Sequence, residues 1–146
     1  MTDVHDSKTR SYNMSQIKSK NTKPEIFVRK YLHSKGLRFR LHNNKLPGKP
    51  DLTLPKYHTV IFVNGCFWHG HNGCKYFTLP KTRTEWWRTK IENTAKRDEI
   101  EKEQLTADGW NIIIVWECEL KREQKISTLD LVVEQIYRNR NIKYDK

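Results

Sequence analysis

The sequence predicts an α/β domain in which a small mixed sheet is flanked by helices. Two apolar runs rich in β-branched residues, 60–63 and 110–116, are typical of buried strands. Three segments with apolar residues three or four positions apart are typical of amphipathic helices. The order along the chain is helix, three strands, helix, strand and helix, which indicates helices packed on the faces of one sheet.

Length and charge limit the function. A chain of 146 residues suffices for one domain with one hydrophobic core. The net charge is +11, and the 28 Lys and Arg are spread along the chain, which favours a polyanionic partner such as nucleic acid. No apolar run approaches the length of a membrane span, and the N-terminal residues lack the apolar core of a signal peptide. We therefore expect a cytoplasmic monomer with no membrane partner.

The first segments are a basic arm and a helix. Residues 1–19 are polar, basic and aperiodic, which predicts a flexible arm that orders on a phosphate backbone, and residues 20–146 form the single domain. Thr22 and Glu25 have capping-box spacing, so a helix begins there, and Gly36 is expected to end it. Its inward residues are Phe27, Val28, Tyr31 and Leu32. Capping alone explains Glu25, but a place near an active site remains open.

Strands occupy the next segment. The apolar residues Leu37, Phe39 and Leu41 alternate with Arg38, Arg40 and His42, which predicts a half-buried strand with a basic outer face. After a turn at 46–50, Asp51 opens the next strand, held by the preceding proline, where it either binds a ligand or merely closes the turn. The central strand 60–63 is expected to end at Asn64 and Gly65, because both tolerate positive φ.

A long helix is predicted from a cap at Thr84 to Gly109. The stripe expected to face the sheet is Trp87, Ile91, Ala95, Asp98, Lys102 and Leu105. A carboxylate in that stripe needs a partner, so Asp98 either forms an ion pair with a basic residue or supports a histidine at the site.

The last strand and helix complete the domain. A second buried strand spans 110–116, and Cys118 follows it much as Cys66 follows the central strand. Ser127 is expected to cap a final helix, before a basic run at 138–143. The inward residues of that helix are Leu129, Val132, Val133, Ile136 and Tyr137.

All three cysteines have a place in one metal site. Cys66, His71 and Cys74 lie close in sequence, and Cys118 supplies a distant fourth ligand, which suits closed tetrahedral Zn²⁺. Such a site is structural and ties the ends of two strands together. Buried free cysteines are the alternative. A zinc deaminase is disfavoured because it requires His-x-Glu and Pro-Cys-x-x-Cys, and neither is present.

His69 is left over from this site and is held rigidly two residues from His71. Asp51, the carbonyls at the end of the central strand and Asp98 are able to converge on it. Oxygen ligands suit Mg²⁺, and Mg²⁺ beside a histidine base hydrolyses phosphodiesters. The expected chemistry is therefore cleavage of a nucleic acid backbone.

Aromatic side chains surround this histidine. Phe67 and Trp68 lie on the loop before His69, and Trp86 and Trp87 open the long helix. Aromatic wedges can unstack base pairs, most readily at a mismatch. Core packing is the alternative, and we expect it for Trp86 or Trp87 but not for both.

Several motifs between about Met14 and Cys118 occur together in one family. They are Met14-x-x-Ile17, Lys20-x-Thr22-x-Pro24-Glu25, Leu46-Pro47-Gly48-x-Pro50-Asp51, Gly65-Cys66-Phe67-Trp68-His69, Thr82-Arg83-Thr84-Glu85-x-Trp87, Arg97-Asp98, Gly109-Trp110 and Val115-Trp116-Glu117-Cys118. The chain thus resembles the very short patch repair (Vsr) DNA mismatch endonucleases. The resemblance implies a restriction-endonuclease-like fold of the PD-(D/E)xK type and a DNA nick 5′ of the thymine in T:G mismatches left by deamination of 5-methylcytosine. It also implies a bacterial, nucleoid-associated enzyme coupled to a DNA cytosine-5 methyltransferase.

The resemblance also implies roles for single residues. Asp51 and the Val63 carbonyl match the Mg²⁺ ligands, His69 the general base, and Asp98 the carboxylate that orients it. The intercalating aromatics match Phe67, Trp68 and Trp87, and the structural zinc ligands match Cys66, His71, Cys74 and Cys118. Cys74 lies one residue later than in the best-known member. Asn64 stands at the edge of the Mg²⁺ site, where the family has a His or an Asp. Asn64 and Glu25 are accessory candidates at that site.

Two other classes remain open on the sequence. A restriction-like endonuclease of the same fold would use Asp51 and His69 but ignore the mismatch. A zinc-stapled DNA-binding module would lack catalysis altogether.

Overall fold

The computed structural model describes residues 22–121 and 123–144, which contain three α-helices and four strands. In chain order the elements are α1 (Lys23–Ser34), β1 (Arg40–Leu41), β2 (Leu52–Leu54), β3 (Thr59–Asn64), α2 (Thr84–Ala107), β4 (Asn111–Trp116) and α3 (Gln124–Tyr144). Short 3-10 helices, Pro55–Tyr57 and Glu117–Leu120, follow β2 and β4. The predicted order of helices and strands is confirmed, whereas the predicted arm at 1–19 lies outside the described residues.

The sheet is mixed, as predicted. Its strand order is β1-β2-β3-β4, with the first two pairings antiparallel and the β3–β4 pairing parallel. The parallel pairing brings the C-terminal ends of β3 and β4 to one edge of the sheet, where Asn64 lies opposite Trp116. Because β2 runs antiparallel to β3, the start of β2 lies at the same edge. Three chain segments that carry candidate site residues therefore meet there.

The main core lies between the sheet and one layer formed by α1 and α3. Its buried members are Val28, Leu32, Leu37, Leu52, Leu54, Tyr57, Ile61, Val115, Leu129, Val132 and Ile136. A buried hydrogen bond of 3.0 Å from Asn139 Nδ2 to Thr59 Oγ1 fixes α3 on β3. Alternate residues of β3 face the other way, toward α2, which buries Ile91 and Leu105. Within the described ranges, no helix combines the length and apolarity needed to cross a membrane.

The first predicted strand is much shorter than expected. Only Arg40–Leu41 pairs with β2, and Leu41 is 42% exposed although the alternation predicts it inside. Leu37 enters the core before the strand begins, and His42, at φ +48°, ends it. The predicted strand is therefore wrong for most of its length, although the predicted alternation of buried and exposed side chains holds from Leu37 to Arg40.

Two predicted caps are wrong by a few residues. Thr84 lies inside the first turn of α2, and its hydroxyl donates to the Pro80 carbonyl at 2.7 Å. The residue before the helix is Arg83, at φ +55°, without a side-chain cap. Likewise, α3 begins before Ser127, whose hydroxyl donates back to the Gln124 carbonyl at 3.0 Å. Both hydroxyls bond to preceding carbonyls rather than to the N–H groups that follow.

The central strand ends at Asn64, as predicted, but not for the predicted reason. Asn64 is the last residue of β3 and is buried, and neither Asn64 nor Gly65 has positive φ. The left-handed residues come later, at Gly70 and Gly73. In β4 only Val115 is fully buried, because β4 is the outermost strand on its side of the sheet in the part of the chain described.

Candidate active site and metal centre

Three thiols and one imidazole converge where β3 and β4 end. Cys66 follows β3, and Cys118 lies in the 3-10 helix after β4. With His71 and Cys74 they form a group whose ligand atoms all lie within 4.8 Å of one another, and His71 Nδ1 is 3.4 Å from Cys118 Sγ. Tetrahedral ligands at zinc bond lengths are about 3.3 to 3.8 Å apart. The donor set and its spacing therefore fit Zn²⁺.

Backbone hydrogen bonds and stacking shape the loop that carries three of these ligands. The His71 N–H donates to the Cys66 carbonyl at 2.9 Å, and the Cys74 N–H donates to the His71 carbonyl at 3.2 Å. The His71 ring stacks on Trp116, with centroids 3.9 Å apart and planes 3° from parallel. The imidazole is thus oriented by β4 itself, and all three cysteines are free.

The thiols need a cation to ionise together. Burial raises the pKa of Cys66, and burial with hydrogen bonding to the other two cysteines raises the pKa of Cys118 to about 12. The Tyr76 backbone N–H lowers the pKa of Cys74. A divalent cation reverses this balance because it stabilises thiolates directly. The group therefore has the chemistry of a site that could hold a divalent cation.

His69 and Asp98 meet between this loop and α2. His69 Nδ1 lies 2.7 Å from Asp98 Oδ2, and both side chains are half-buried. The predicted contact of Asp98 with a site histidine is present, in place of an ion pair with a basic residue. An imidazole that donates from Nδ1 has its lone pair on Nε2. His69 is thereby oriented to accept a proton.

Asp51 does more than close a turn. Its Oδ2 accepts a hydrogen bond of 2.7 Å from the Val63 N–H on β3. Burial raises the pKa of Asp51 to about 6, and the nearby charge of Glu25 adds to this, while the Val63 N–H, His42 and His69 act in the opposite direction. His69 is thus near enough to Asp51 to act on it electrostatically.

Glu25 has two roles, one of which the sequence left open. It completes the capping box of α1, with its Oε2 accepting from the Thr22 N–H at 3.4 Å. Its Oε1 is also hydrogen-bonded to His42 Nε2, and Glu25 is only 2% exposed. Capping alone therefore does not account for this residue.

His42 was missed by the sequence reasoning, which placed it on the outer face of a strand. The available signal was the hairpin register: because Leu41 pairs with Leu52, His42 falls opposite Asp51. The His42 N–H donates to the Asp51 carbonyl at 3.1 Å. Donor atoms of Glu25, His42 and Asp51 lie within 4.8 Å of one another.

Aromatic rings form a continuous cluster beside His69. The Phe67 ring centroid is 5.2 Å from that of Trp68 and 5.4 Å from that of Trp87, and Trp86 lies 4.8 Å from Trp87. Trp68 is 37% exposed and Trp86 47%, whereas Trp87 is half-buried between them. Only one of the paired tryptophans packs inward, as expected.

Asn64 is enclosed between β3 and α2. It is 7% exposed and lines a small cavity between β3 and α2 together with Asp98, Glu101 and Lys102. Its amide therefore lies beside the carboxylate that contacts His69, on the α2 face of the sheet.

The chain is similar to several known DNA endonucleases. Residues 2–75 match the family model described as DNA mismatch endonuclease Vsr. The chain is 51% identical over 120 residues to the Type II nicking enzyme V.XorIIP of Xanthomonas oryzae pv. oryzae, covering 82% of this chain and 88% of the relative. It is 45% identical over 123 residues to the Type II nicking enzyme V.NmeAIP of Neisseria meningitidis, covering 84% and 87%. It is 43% identical over 127 residues to the DNA mismatch endonuclease Vsr of Escherichia coli, covering 87% and 81%.

Proposed function

The chain belongs to the Vsr family of DNA mismatch endonucleases, and from this premise we propose that it nicks duplex DNA 5′ of the thymine in T:G mismatches. Such mismatches arise when 5-methylcytosine is deaminated, so the enzyme initiates very short patch repair and accompanies a DNA cytosine-5 methyltransferase. The observation that carries the proposal is the His69–Asp98 pair, whose histidine lies in electrostatic range of Asp51.

His69 is the general base of the proposed reaction. Its Nδ1–H donates to Asp98, so Nε2 is free to take a proton from a water molecule. The water oxygen then forms a bond to phosphorus while the bond from phosphorus to the leaving oxygen breaks. Asp98 stabilises the imidazolium that results and holds the ring in one orientation, much as a carboxylate does for the histidine of a hydrolytic triad.

Asp51 and the Val63 carbonyl are the proposed Mg²⁺ ligands. In an extended strand the N–H and C=O groups of one residue point to the same side, and the Val63 N–H already points to Asp51. One Asp51 oxygen accepts that hydrogen bond, which leaves the other oxygen for a cation. When bound, Mg²⁺ offsets negative charge that develops on the phosphate.

The aromatic cluster is the proposed mismatch reader. Phe67, Trp68 and Trp87 form one group next to His69, the proposed general base. Trp68 is exposed at the surface of this group. An aromatic side chain can take the place of a neighbouring base in the stack. The free energy of unstacking is low where a mismatch has already weakened the stack. A net charge of +11 supplies attraction to the phosphates of either strand.

The cysteine cluster is the proposed structural zinc site, formed by Cys66, His71, Cys74 and Cys118. Its proposed role is to hold the loop between β3 and α2 against the end of β4. We further propose that the fold is of the PD-(D/E)xK type, since Pro50 and Asp51 stand at the start of β2, at the edge that carries the other site residues.

The direct test is strand nicking with Mg²⁺ on duplexes that differ only at one base pair, T:G or T:A. Because the flanking context is unknown, each duplex carries a randomised flank and the nicked products are sequenced. Wild type should nick only the T:G pool, Asp51→Ala should be inactive, and the exposed Asp108→Asn should match wild type. Absence of nicking in every flank would refute the proposal.

A second candidate is a nicking endonuclease that does not require a mismatch. It is favoured by the relatives at 51% and 45% identity, whose descriptions specify nicking but no mismatch. Equal nicking of the T:G and T:A pools, lost in Asp51→Ala, would support this candidate over mismatch repair.

A further inference from the structure

Three metal-binding side chains meet around Asp51, and two of them, Glu25 and His42, have no role in the proposed reaction. Glu25 comes from the first turn of α1, His42 from the residue after β1, and Asp51 from the residue before β2. One donor atom of each lies within 4.8 Å of the other two. Octahedral ligands at magnesium-like bond lengths are about 3 Å apart when adjacent and about 4.2 Å apart when opposite. The spacing of the group therefore fits one divalent cation.

The group is also unbalanced in charge. Glu25 is 2% exposed and Asp51 is half-buried, and the charge of Glu25 is among the causes that raise the pKa of Asp51. The His42 imidazole contacts Glu25 and acts electrostatically on Asp51, whereas His69 acts on Asp51 and is hydrogen-bonded to Asp98. Buried carboxylates are normally paired with cations or bound to metals. A divalent cation neutralises both acids, which one histidine cannot do.

We propose that Glu25, His42 and Asp51 form a second cation site, in which the His42 ring nitrogen binds the metal directly. The nitrogen ligand determines which metal ion the site prefers. Mg²⁺ favours oxygen ligands and keeps its water, whereas first-row transition metals accept imidazole readily. The site thus takes Mn²⁺ or a similar transition metal in preference to Mg²⁺. It shares only Asp51 with the Mg²⁺ site of the proposed function, and it rests on that function in no other respect.

A metal here would join three parts of the chain. The hairpin of β1 and β2 already presents His42 opposite Asp51, since the His42 N–H donates to the Asp51 carbonyl. Glu25 is held at its place by the capping box with Thr22. The ligands are therefore fixed by backbone structure before any metal binds, which lowers the entropy cost of binding.

Mn²⁺ alone, added to the DNA-free protein with its cysteine site intact, is the probe. Glu25→Gln and His42→Gln are the test variants. Gln at the third helical position can still complete a capping box, so Glu25→Gln removes a metal ligand without removing the cap. A Gln at 42 keeps an amide that is able to donate to Glu25. His33→Gln, in the exposed last turn of α1, is the matched control.

Two measurements decide the proposal. The Mn²⁺ dissociation constant, from the loss of the free-ion electron paramagnetic resonance signal, should rise at least about tenfold in both test variants and not in the control. Electron spin echo modulation of bound Mn²⁺ should contain a directly coordinated ¹⁴N nucleus that disappears in His42→Gln. It should persist in His69→Gln, because His69 is the other imidazole near Asp51.

A ¹⁴N signal that persists in His42→Gln, or that is absent in wild type, overturns the assignment, as does a failure of Mn²⁺ to bind. The outcome is independent of mismatch cleavage. Normal T:G nicking without ¹⁴N coupling would reject only the second site, whereas ¹⁴N coupling without T:G nicking would reject only the proposed function.

Discussion

Replacing Asp51 by Asn is expected to abolish nicking and yet stabilise the metal-free protein. Asn has almost the same shape, and its amide oxygen can still accept the hydrogen bond from the Val63 N–H. What the change removes is a charge in a buried position next to another carboxylate. Functional sites commonly hold such unfavourable charges in readiness for a ligand.

The magnitude follows from the pKa of Asp51, which burial raises from 3.8 to about 6. A carboxyl with a raised pKa binds its proton more tightly in the folded state than in the unfolded state. Its favourable contribution to stability is therefore complete below pH 3.8 and is lost as the pH rises through about 6. The difference amounts to about 3 kcal/mol at pH 8 and about half of that at pH 5. Asp51→Asn should recover up to these amounts.

The assay is urea unfolding of wild type and Asp51→Asn at pH 5 and pH 8, without added divalent cations and without a chelator that would strip the cysteine site. The exposed Asp108→Asn is the control and should have little effect at either pH. Added Mg²⁺ should stabilise wild type but not Asp51→Asn, because only the former binds it in the folded state. A variant no more stable than wild type at pH 8, or equally stabilised at both pH values, would refute the reasoning.

Three further predictions concern the zinc cluster, the aromatic cluster and the loop that joins them. Cys118→Ser should lose zinc and lower the melting temperature, as measured by metal analysis and calorimetry; a variant that keeps both would remove the zinc assignment. Trp68→Ala should weaken binding to T:G relative to T:A duplexes by about 1 to 3 kcal/mol in fluorescence anisotropy, and an unchanged preference would count against a wedge. Gly70→Ala should destabilise the fold by at least about 1 kcal/mol more than Gly73→Ala, as judged by urea unfolding. Both glycines have positive φ, but only at Gly70 would a Cβ atom lie 2.7 Å from Ile91 Cγ2, so equal losses would contradict the clash.

The features that local sequence determines were predicted well. Capping-box spacing at Thr22 and Glu25, apolar periodicity in the helices and apolar runs in β3 and β4 depend on residues within one or two turns of each other. The cysteine cluster was also predictable, because four ligands of the right types follow two strands that pair in parallel. The helical stripe predicted that Asp98 faces the sheet and needs a partner, but it left open whether that partner is a basic residue or the site histidine, which the structure shows to be His69.

The carboxylate–histidine group was not predictable in the same way. Alternation placed His42 on an outer face, whereas a left-handed backbone at that residue ends the strand and turns the side chain toward Glu25. Such a turn depends on the hairpin closing against α1, which no pattern within the hairpin encodes. The predicted caps of α2 and α3 were wrong for a related reason. A Ser or Thr hydroxyl can hydrogen-bond either to a preceding carbonyl or to a following N–H, and the sequence does not distinguish the two.

The parallel pairing of β3 and β4 places the cysteine cluster next to the proposed hydrolytic site. Phe67, Trp68 and His69 all lie between Cys66 and His71, so a metal at the cysteine cluster would fix the proposed general base and the proposed aromatic wedge together. Asp51, Glu25 and His42 are carried by other elements that do not depend on that loop. Zinc loss in Cys118→Ser should therefore remove mismatch binding and nicking while leaving Mn²⁺ binding at Glu25, His42 and Asp51 intact. Loss of all three properties at once would instead mean that the two metal sites fold as one unit.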